Sequence, residues 1–205
     1  MYGGHCTEAF FHSVMRTVEE LGKAGIEYDW LTERNESLVS RARMEMTASF
    51  LKTKHTHLFC IDADIQFEPD HVAALWNLQV DVAVGVYPMK KRGGGYAAWQ
   101  TGELVKDLSE LKLRDDGVAE VDYAGTGFML IKRAVIEKLA EKHGYYEGPN
   151  GKAPAIYMTP VHDGVLESED YFFCRIAREA GFKIVMDPSV KLVHWGQYGY
   201  GADAA

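Results

Sequence analysis

The sequence predicts an α/β fold: an open, mostly parallel sheet with helices on both faces. Two observations predict it. Helical and short apolar segments alternate over roughly the first 90 residues, the pattern of strand–helix–strand units. Two of the apolar runs, His57–Ile61 and Asp81–Val86, are too short for helices and have no polar alternation, as expected of strands covered on both faces.

Residues 7–24 place Phe10, Phe11, Val14, Met15, Val18 and Leu21 at helical spacing, and Gly22 and Gly25 close that helix. Residues 26–31 (Ile-Glu-Tyr-Asp-Trp-Leu) alternate apolar and polar and predict a strand. Asn35-Glu36-Ser37 offers caps for a second helix over 37–53. His57–Ile61 runs into Asp62 as a buried strand. Pro69-Asp70 starts a helix reaching Leu78, with proline in its favoured first turn.

After Tyr87-Pro88 the pattern becomes irregular. Lys90-Lys91-Arg92-Gly93-Gly94-Gly95 reads as a flexible basic loop. Strands are expected over 97–105, 118–123 and Phe128–Ile131, with Asp115-Asp116-Gly117 as a turn, then a helix over 133–143. Residues 144–164, rich in Gly, Pro and Tyr, read as a long loop of the kind that usually carries function. A helix over 168–180, a strand over 183–187 and an extended segment over 189–194 complete the chain. The expected organisation is one domain over 1–205, with a nucleotide-binding front half (1–90) and an irregular back half (91–205).

Composition narrows the function. A chain of 205 residues with 47% hydrophobic and 25% charged residues can bury a full core, which excludes intrinsic disorder. The net charge of −8 argues against a binder of nucleic-acid backbones, which needs a dominant basic face. No apolar run is long enough to span a membrane. The first residues have neither the basic nor the apolar region of a secretory signal. Three widely spaced cysteines (Cys6, Cys60, Cys174) suggest reduced thiols, and the expected location is cytoplasmic.

The sharpest chemical feature is Asp62-Ala63-Asp64, at the carboxyl end of a buried strand. Ligands of open α/β sheets bind there. Two carboxylates separated by one small residue can share a hard divalent cation and leave room for phosphate oxygens. The alternative is a strand end capped by two solvated aspartates. Ser168-Glu169-Asp170 opens a helix: the acids suit its dipole, and one of them could also serve as a general base. His194, ending an extended segment, is either a metal ligand or a satisfied core histidine. Arg41 follows Ser37 by one helical turn and could grip a diphosphate, whereas Arg43 reads equally well as part of a solvated basic face. Gly125-Thr126-Gly127 either lets a sugar approach the backbone or forms a bulge. The Lys90–Gly95 run is either a lid over phosphates or a solvated loop.

Together these motifs resemble a glycosyltransferase of the GT-A fold, the compact nucleotide-sugar-dependent, Asp-x-Asp type of bacteria, phages and large DNA viruses. The resemblance is carried by Met1-Tyr2-Gly3-Gly4, Asn35–Arg43, His57–Ile65, Gly85-Val86-Tyr87-Pro88, Gly125–Phe128, Ser168–Phe173 and His194, in that order along nearly the whole chain. It implies a mixed, mostly parallel sheet in a single domain and hexosyl or deoxyhexosyl transfer to a glycan, lipid or protein hydroxyl. The donor would be a nucleoside-diphosphate sugar, with a UDP-sugar favoured.

The resemblance also implies roles for residues. Asp64 and His194 would ligate Mn²⁺ or Mg²⁺, and Asp62 would contact the metal or the donor ribose. Tyr2, Gly3 and Asn35 would border the nucleoside, and Ala63 would separate the two carboxylates. Arg41 would assist the diphosphate. Gly125, Thr126 and Gly127 would border the transferred sugar. Asp170 would be the base of an inverting enzyme, with Glu169 shaping the acceptor site. Family members carry a short apolar strand ahead of the segment matching Tyr2-Gly3-Gly4. That strand is expected to be missing here, and the chain could be one module of a longer protein.

Other classes fit less of the sequence. A haloacid-dehalogenase-type phosphohydrolase also has Asp-x-Asp after a buried strand, but Gln66 stands where that motif continues with Thr or Val. A nucleotidyltransferase opens with a glycine-rich basic loop, which Met1–His5 matches poorly. In a non-catalytic carbohydrate-binding module or an inactive transferase, Trp99, Trp195, Tyr145 and Tyr146 would serve for sugar stacking.

Overall fold

The computed structural model describes residues 4–91 and 93–201. Tyr2 and Gly3, expected at the nucleoside, lie outside the described residues. The elements in chain order are α1 (Glu8–Lys23), α2 (Val39–Leu51), β1 (His57–Ile61), β2 (Ile65–Gln66), α3 (Pro69–Asn77), β3 (Val82–Val86), β4 (Ala98–Gln100), β5 (Glu103–Leu104), β6 (Ala119–Val121), β7 (Tyr123–Ala124), β8 (Phe128–Lys132), α4 (Arg133–His143), β9 (Tyr145–Gly148), β10 (Gly151–Pro154), β11 (Val161–His162), β12 (Val165–Leu166), α5 (Glu169–Glu179), β13 (Ile184–Lys191), β14 (Val193–Trp195) and β15 (Gly199–Gly201).

The helices start where local chemistry favours them. Thr7 caps α1, its Oγ1 accepting from the Phe10 N–H at 3.1 Å, and Glu8 and Lys23 complement the helix dipole at the two ends. Pro69 occupies the first turn of α3. Gly144, at φ 77°, ends α4 in a backbone conformation that glycine adopts without penalty.

The central sheet runs β1-β8-β3-β13-β6. Only β3 and β13 pair in parallel; β1 with β8, β8 with β3, and β13 with β6 are antiparallel. The expectation of a mostly parallel sheet is therefore corrected to a mixed, mostly antiparallel one. The reason is physical: an apolar run reports burial on both faces but not the direction of the neighbouring strand. β1, β3 and β13 still run the same way, with β8 inserted in reverse between β1 and β3.

Helices do cover both faces. Alternate residues of the strands divide between two cores. On one face Phe10 of α1 and Leu75 of α3 pack with Ala83, Phe128 and Leu130. On the other, α2, α4 and α5 bring Phe50, Leu139 and Phe173 against Val82, Val84, Met129 and Ile131. Each such side chain contributes about 1.5–3 kcal/mol by leaving water. Gly85 in β3 is required by this packing. A Cβ there would lie 2.8 Å from both Phe128 Cδ1 and Val190 Cγ1.

Two further expectations change. Residues 26–31 form no strand, because among the described residues no strand edge lies within hydrogen-bonding reach of them. The expected 144–164 loop contains one short hairpin, β9–β10, and the first strand of a second, β11–β12, which ends at Leu166. Among the described residues no helix is long and apolar enough to cross a membrane. Cys6, Cys60 and Cys174 are free thiols.

Candidate functional site

The codirectional strands β1, β3 and β13 discharge their chains at one end of the sheet, and the candidate residues gather there. β1 leads into Asp62-Ala63-Asp64, β3 into Tyr87-Pro88, and β13 into β14 with His194. β14 then pairs with β2, matching His194 to Ile65, and the Trp195 N–H donates to the Asp64 carbonyl at 2.8 Å. This short ladder folds His194 back over Asp64.

Asp64 is the best-defined carboxylate. Its Oδ2 accepts from Lys90 Nζ at 2.5 Å, and its Oδ1 lies 3.5 Å from His194 Nε2. That Oδ1 is buried without a hydrogen-bond partner. Burial opposes ionisation of Asp64, but His194 and Lys90 outweigh it and hold the carboxyl below the ordinary aspartate range. The other ring nitrogen of His194, Nδ1, lies 3.0 Å from the Pro88 carbonyl. A carbonyl only accepts, so Nδ1–H donates to Pro88 and fixes the ring with Nε2 towards Asp64. The histidine nitrogen and the carboxylate oxygen are two donors of the types that divalent cations take.

Asp62 is committed elsewhere. Its Oδ1 accepts from Arg43 Nη2 at 3.0 Å, and its backbone N–H donates to Gly127 at 2.9 Å. The expected trio of Asp62, Asp64 and His194 is not assembled. Among the described residues no three His, Cys, Asp or Glu side chains converge closely enough to hold a metal.

Arg43 is buried, and its Nε also lies 3.6 Å from Glu169 Oε1. Desolvation opposes its charge, but the carboxylate of Asp62 keeps the guanidinium firmly protonated. The solvated-face reading of Arg43 is therefore corrected. The available signal was positional: Arg43, Thr47 and Phe50 fall on one helical face, and all three are buried. Arg41 points the other way. It makes a bidentate pair with Glu36 at 2.6 and 2.7 Å. Asn35 adopts the left-handed conformation (φ 62°) in the turn before α2, a conformation that asparagine tolerates.

At the start of α5 the two acids differ. Burial, then the charge of Asp170, push the Glu169 carboxyl above the usual glutamate range. Asp170 Oδ1 accepts from Ser168 Oγ and from the Tyr171 N–H. Ser168 is the N-cap residue, but its hydroxyl turns to Asp170 rather than to the helix backbone.

Gly125, Thr126 and Gly127 border the same edge. The Gly127 N–H donates to Tyr87 Oη at 3.0 Å, and a Cβ on Gly125 would lie 2.1 Å from that oxygen. Tyr87 therefore approaches this backbone closely, and its ring meets His194 edge-on at 5.3 Å. Thr126 is buried, and its Oγ1 has no hydrogen-bond partner. The structure thus brings Asp64 to His194, Asp62 to Gly127, and Asp62 and Glu169 to Arg43. Sequence reasoning gave no role to Tyr87 and missed the contact of Lys90 with Asp64. A cavity of about 770 Å³ lies beside this edge, and His5, Thr7, Arg43, Asp62, Ala63 and Asp64 are among its lining residues. That volume lies in the range of small-molecule sites.

No protein-family model matches the chain, and no curated protein matches it. Among solved structures it is similar to A197 from STIV, at 22% identity and a TM-score of 0.59, covering 93% of this chain and 84% of that one. This likeness concerns the fold. A weaker likeness, with a TM-score of 0.43 and 12% identity, is to the inositol-1-phosphate CTP transferase from T. maritima, covering 83% of this chain and 60% of that one. At that score it carries no argument. The site and fold define a chain of α/β class with an acidic, histidine-bearing cleft at the carboxyl ends of its codirectional strands.

Two expectations follow from this geometry. Arg43→Ala leaves two carboxylates facing each other without their cation. The loss should be about 2–3 kcal/mol in a urea titration, below the roughly 3–5 kcal/mol of a fully buried pair, because the Asp62 side chain keeps 39% exposure. The depressed pKa of Asp64 means that its stabilising contribution is complete above the ordinary value of 3.8 and fades as pH falls through the lower, folded-state value. The difference in stability between wild type and Asp64→Asn should therefore be constant near neutrality and shrink on acidification, read from thermal melts across pH.

Proposed function

We propose that the chain is a metal-dependent glycosyltransferase of the GT-A type, moving a sugar from a nucleoside-diphosphate donor, a UDP-sugar by preference, to a hydroxyl acceptor. The observation that carries this reading is the buried, unpartnered Oδ1 of Asp64 facing His194 Nε2 at a carboxyl-end cleft. Asp64 and His194 would hold Mn²⁺ or Mg²⁺, which supplies Lewis-acid stabilisation of charge on the leaving nucleotide. Asp62 would meet the donor ribose, its carboxylate oriented by Arg43. Lys90, bonded to Asp64, would add positive charge towards a diphosphate held there.

Glu169 would accept the proton of the acceptor hydroxyl. Its raised proton affinity suits it to that task better than Asp170, whose Oδ1 already holds two donors. The acceptor side is aromatic. Trp99 Nε1–H donates to Tyr171 Oη at 2.8 Å, and Tyr123 lies 5.2 Å from the same ring, next to the acids of α5. Such surfaces stack on sugar rings.

Calorimetry with UDP, GDP, dTDP and CMP, each with Mn²⁺ and with EDTA, tests the donor reading. The expected result is metal-dependent binding of one nucleotide that Asp64→Ala abolishes. Binding that is equal in EDTA removes the metal, and binding of none removes the donor site. With the donor found, Glu169→Gln should cut turnover by about 10²-fold or more and Asp170→Asn by less, with donor affinity kept in both. The acid limb of the wild-type pH–rate profile should lie above the ordinary glutamate range, because protonation of Glu169 removes the base form. Glycan binding without consumption of a nucleotide sugar would mark a binding module instead.

A further inference from the structure

The two aspartates at the tip of β1 are answered by cations of different kinds. Arg43, on Asp62, has a side chain only 7% exposed, and Glu169 lies on its other side. Withdrawing that guanidinium would leave buried charge uncompensated, so it is a fixed partner. Lys90, on Asp64, has a side chain 37% exposed. Its ammonium is a compact, strongly hydrated charge on a flexible four-carbon stem. A partly exposed pair of this kind is held by little free energy, and its lysine can return to water without unfolding its surroundings.

The backbone that carries Lys90 is a tight turn outside the central sheet. The Met89 N–H reaches the Gly95 carbonyl at 3.0 Å and closes it, and inside it the Gly94 N–H reaches the Lys91 carbonyl at 3.0 Å. Gly95 takes the left-handed conformation there (φ 76°), which glycine adopts without penalty. The stem of Lys90 passes beside Gly196, where a Cβ would stand 3.4 Å from Lys90 Cδ. Lys90 thus reaches Asp64 past the turn between β14 and β15, and β14 is the strand that carries His194. The ammonium and the histidine come to one carboxylate from two separate segments. Lys90 lies on Oδ2, while Oδ1 is buried, has no hydrogen-bond partner and lies 3.5 Å from His194 Nε2.

We propose that Lys90 is an internal competitor for the cation at Asp64, and that its release couples cation binding to diphosphate binding. A divalent ion on Oδ1 and His194 would share one carboxylate with an ammonium, and like charges that close repel strongly in a partly buried setting. The lysine is the group that can leave. Once off Asp64, its charge is free for the diphosphate oxygens of a nucleotide at the same strand ends. A cation alone must expel Lys90 without recompense and binds weakly. A diphosphate gives Lys90 a second partner, so each ligand strengthens the binding of the other by the same factor. The site then fills with both ligands together rather than with either alone. The proposal rests on the metal-dependent reading of this site and adds its regulation.

The test titrates the full chain with Mn²⁺, counting the free ion by its electron paramagnetic resonance signal, so no turnover is needed. Asp64→Asn supplies the baseline for ions bound elsewhere. Lys90→Gln should bind Mn²⁺ alone about fivefold more tightly than wild type, the scale of a partly exposed ion pair. Lys91→Gln removes an equal charge from the neighbouring, exposed position and should change that affinity less than twofold, roughly the reach of a screened surface charge. UDP should tighten Mn²⁺ binding in wild type, and by about fivefold less in Lys90→Gln. Equal Mn²⁺ affinity of wild type and Lys90→Gln, with binding still lost in Asp64→Asn, overturns the competitor and leaves the metal reading standing. Weaker binding by Lys90→Gln overturns it too, since Lys90 would then assist the cation. A like gain in Lys91→Gln, or equal tightening by UDP in wild type and Lys90→Gln, has the same consequence. Mn²⁺ bound at Asp64 by none of these proteins, with or without UDP, removes the metal reading and this proposal with it.

Discussion

The buried guanidinium of Arg43 is the constraint on which the rest of the site depends. A charge removed from water must be paired, and this one is paired across elements distant in sequence: it rises from α2, meets Asp62 at the end of β1, and reaches Glu169 at the start of α5. The position of each carboxylate is therefore set by the same cation. Asp62 is held by Arg43 and Asp64 by Lys90, so two aspartates one residue apart have different partners. Glu169 is drawn into a desolvated environment, where burial and its neighbour Asp170 raise its affinity for a proton. One interaction gives the carboxylates of Asp62 and Glu169 a common cation, while Asp64 is paired separately with Lys90.

Asp64 is governed by the complementary logic. Its carboxylate is half-buried, and three groups manage that cost. Lys90 lies on one oxygen, His194 faces the other, and the peptide of Trp195 holds the backbone of the same residue. His194 is itself fixed through Pro88, and its ring is met by Tyr87, which also holds the Gly127 N–H. The chain Gly127–Tyr87–His194–Asp64 couples the small-residue turn to the carboxylate across one sheet edge. Displacement of the turn would be felt at Asp64 through two rigid aromatic contacts rather than through flexible side chains.

Much of this architecture was legible in the sequence, for identifiable reasons. Periodicity marked α1, cap residues marked the start of α2, Pro69 marked the start of α3, and uninterrupted apolar runs marked β1 and β3, because burial and capping leave direct traces in residue order. The placement of Asp62 and Asp64 at a strand's carboxyl end followed from the same run. Strand direction was not legible, since a residue buried on both faces looks the same beside a parallel or an antiparallel neighbour. The burial of Arg43 was obscured because arginine on a helix is ordinarily solvated. The contacts of His194 and Lys90 with Asp64 span long stretches of sequence and depend on the β14–β2 ladder, two short strands with no pattern of their own.

The site also stands on an edge strand of the central sheet. β1 delivers both aspartates, yet its ladder is satisfied on one edge only, and the residues beyond its other edge form no strand. Its attachments at the carboxyl end are correspondingly strong: Arg43 on Asp62, Lys90 on Asp64, and the Thr7 N–H on the Ala63 carbonyl at 2.9 Å. These contacts hold the tip of β1 while its flank remains open. One cavity is lined both by β1 and by Asp62, Ala63 and Asp64 at its tip. Anything that completes the edge of β1 must therefore stiffen the strand that presents the carboxylates, and ordering at the edge becomes ordering at the site.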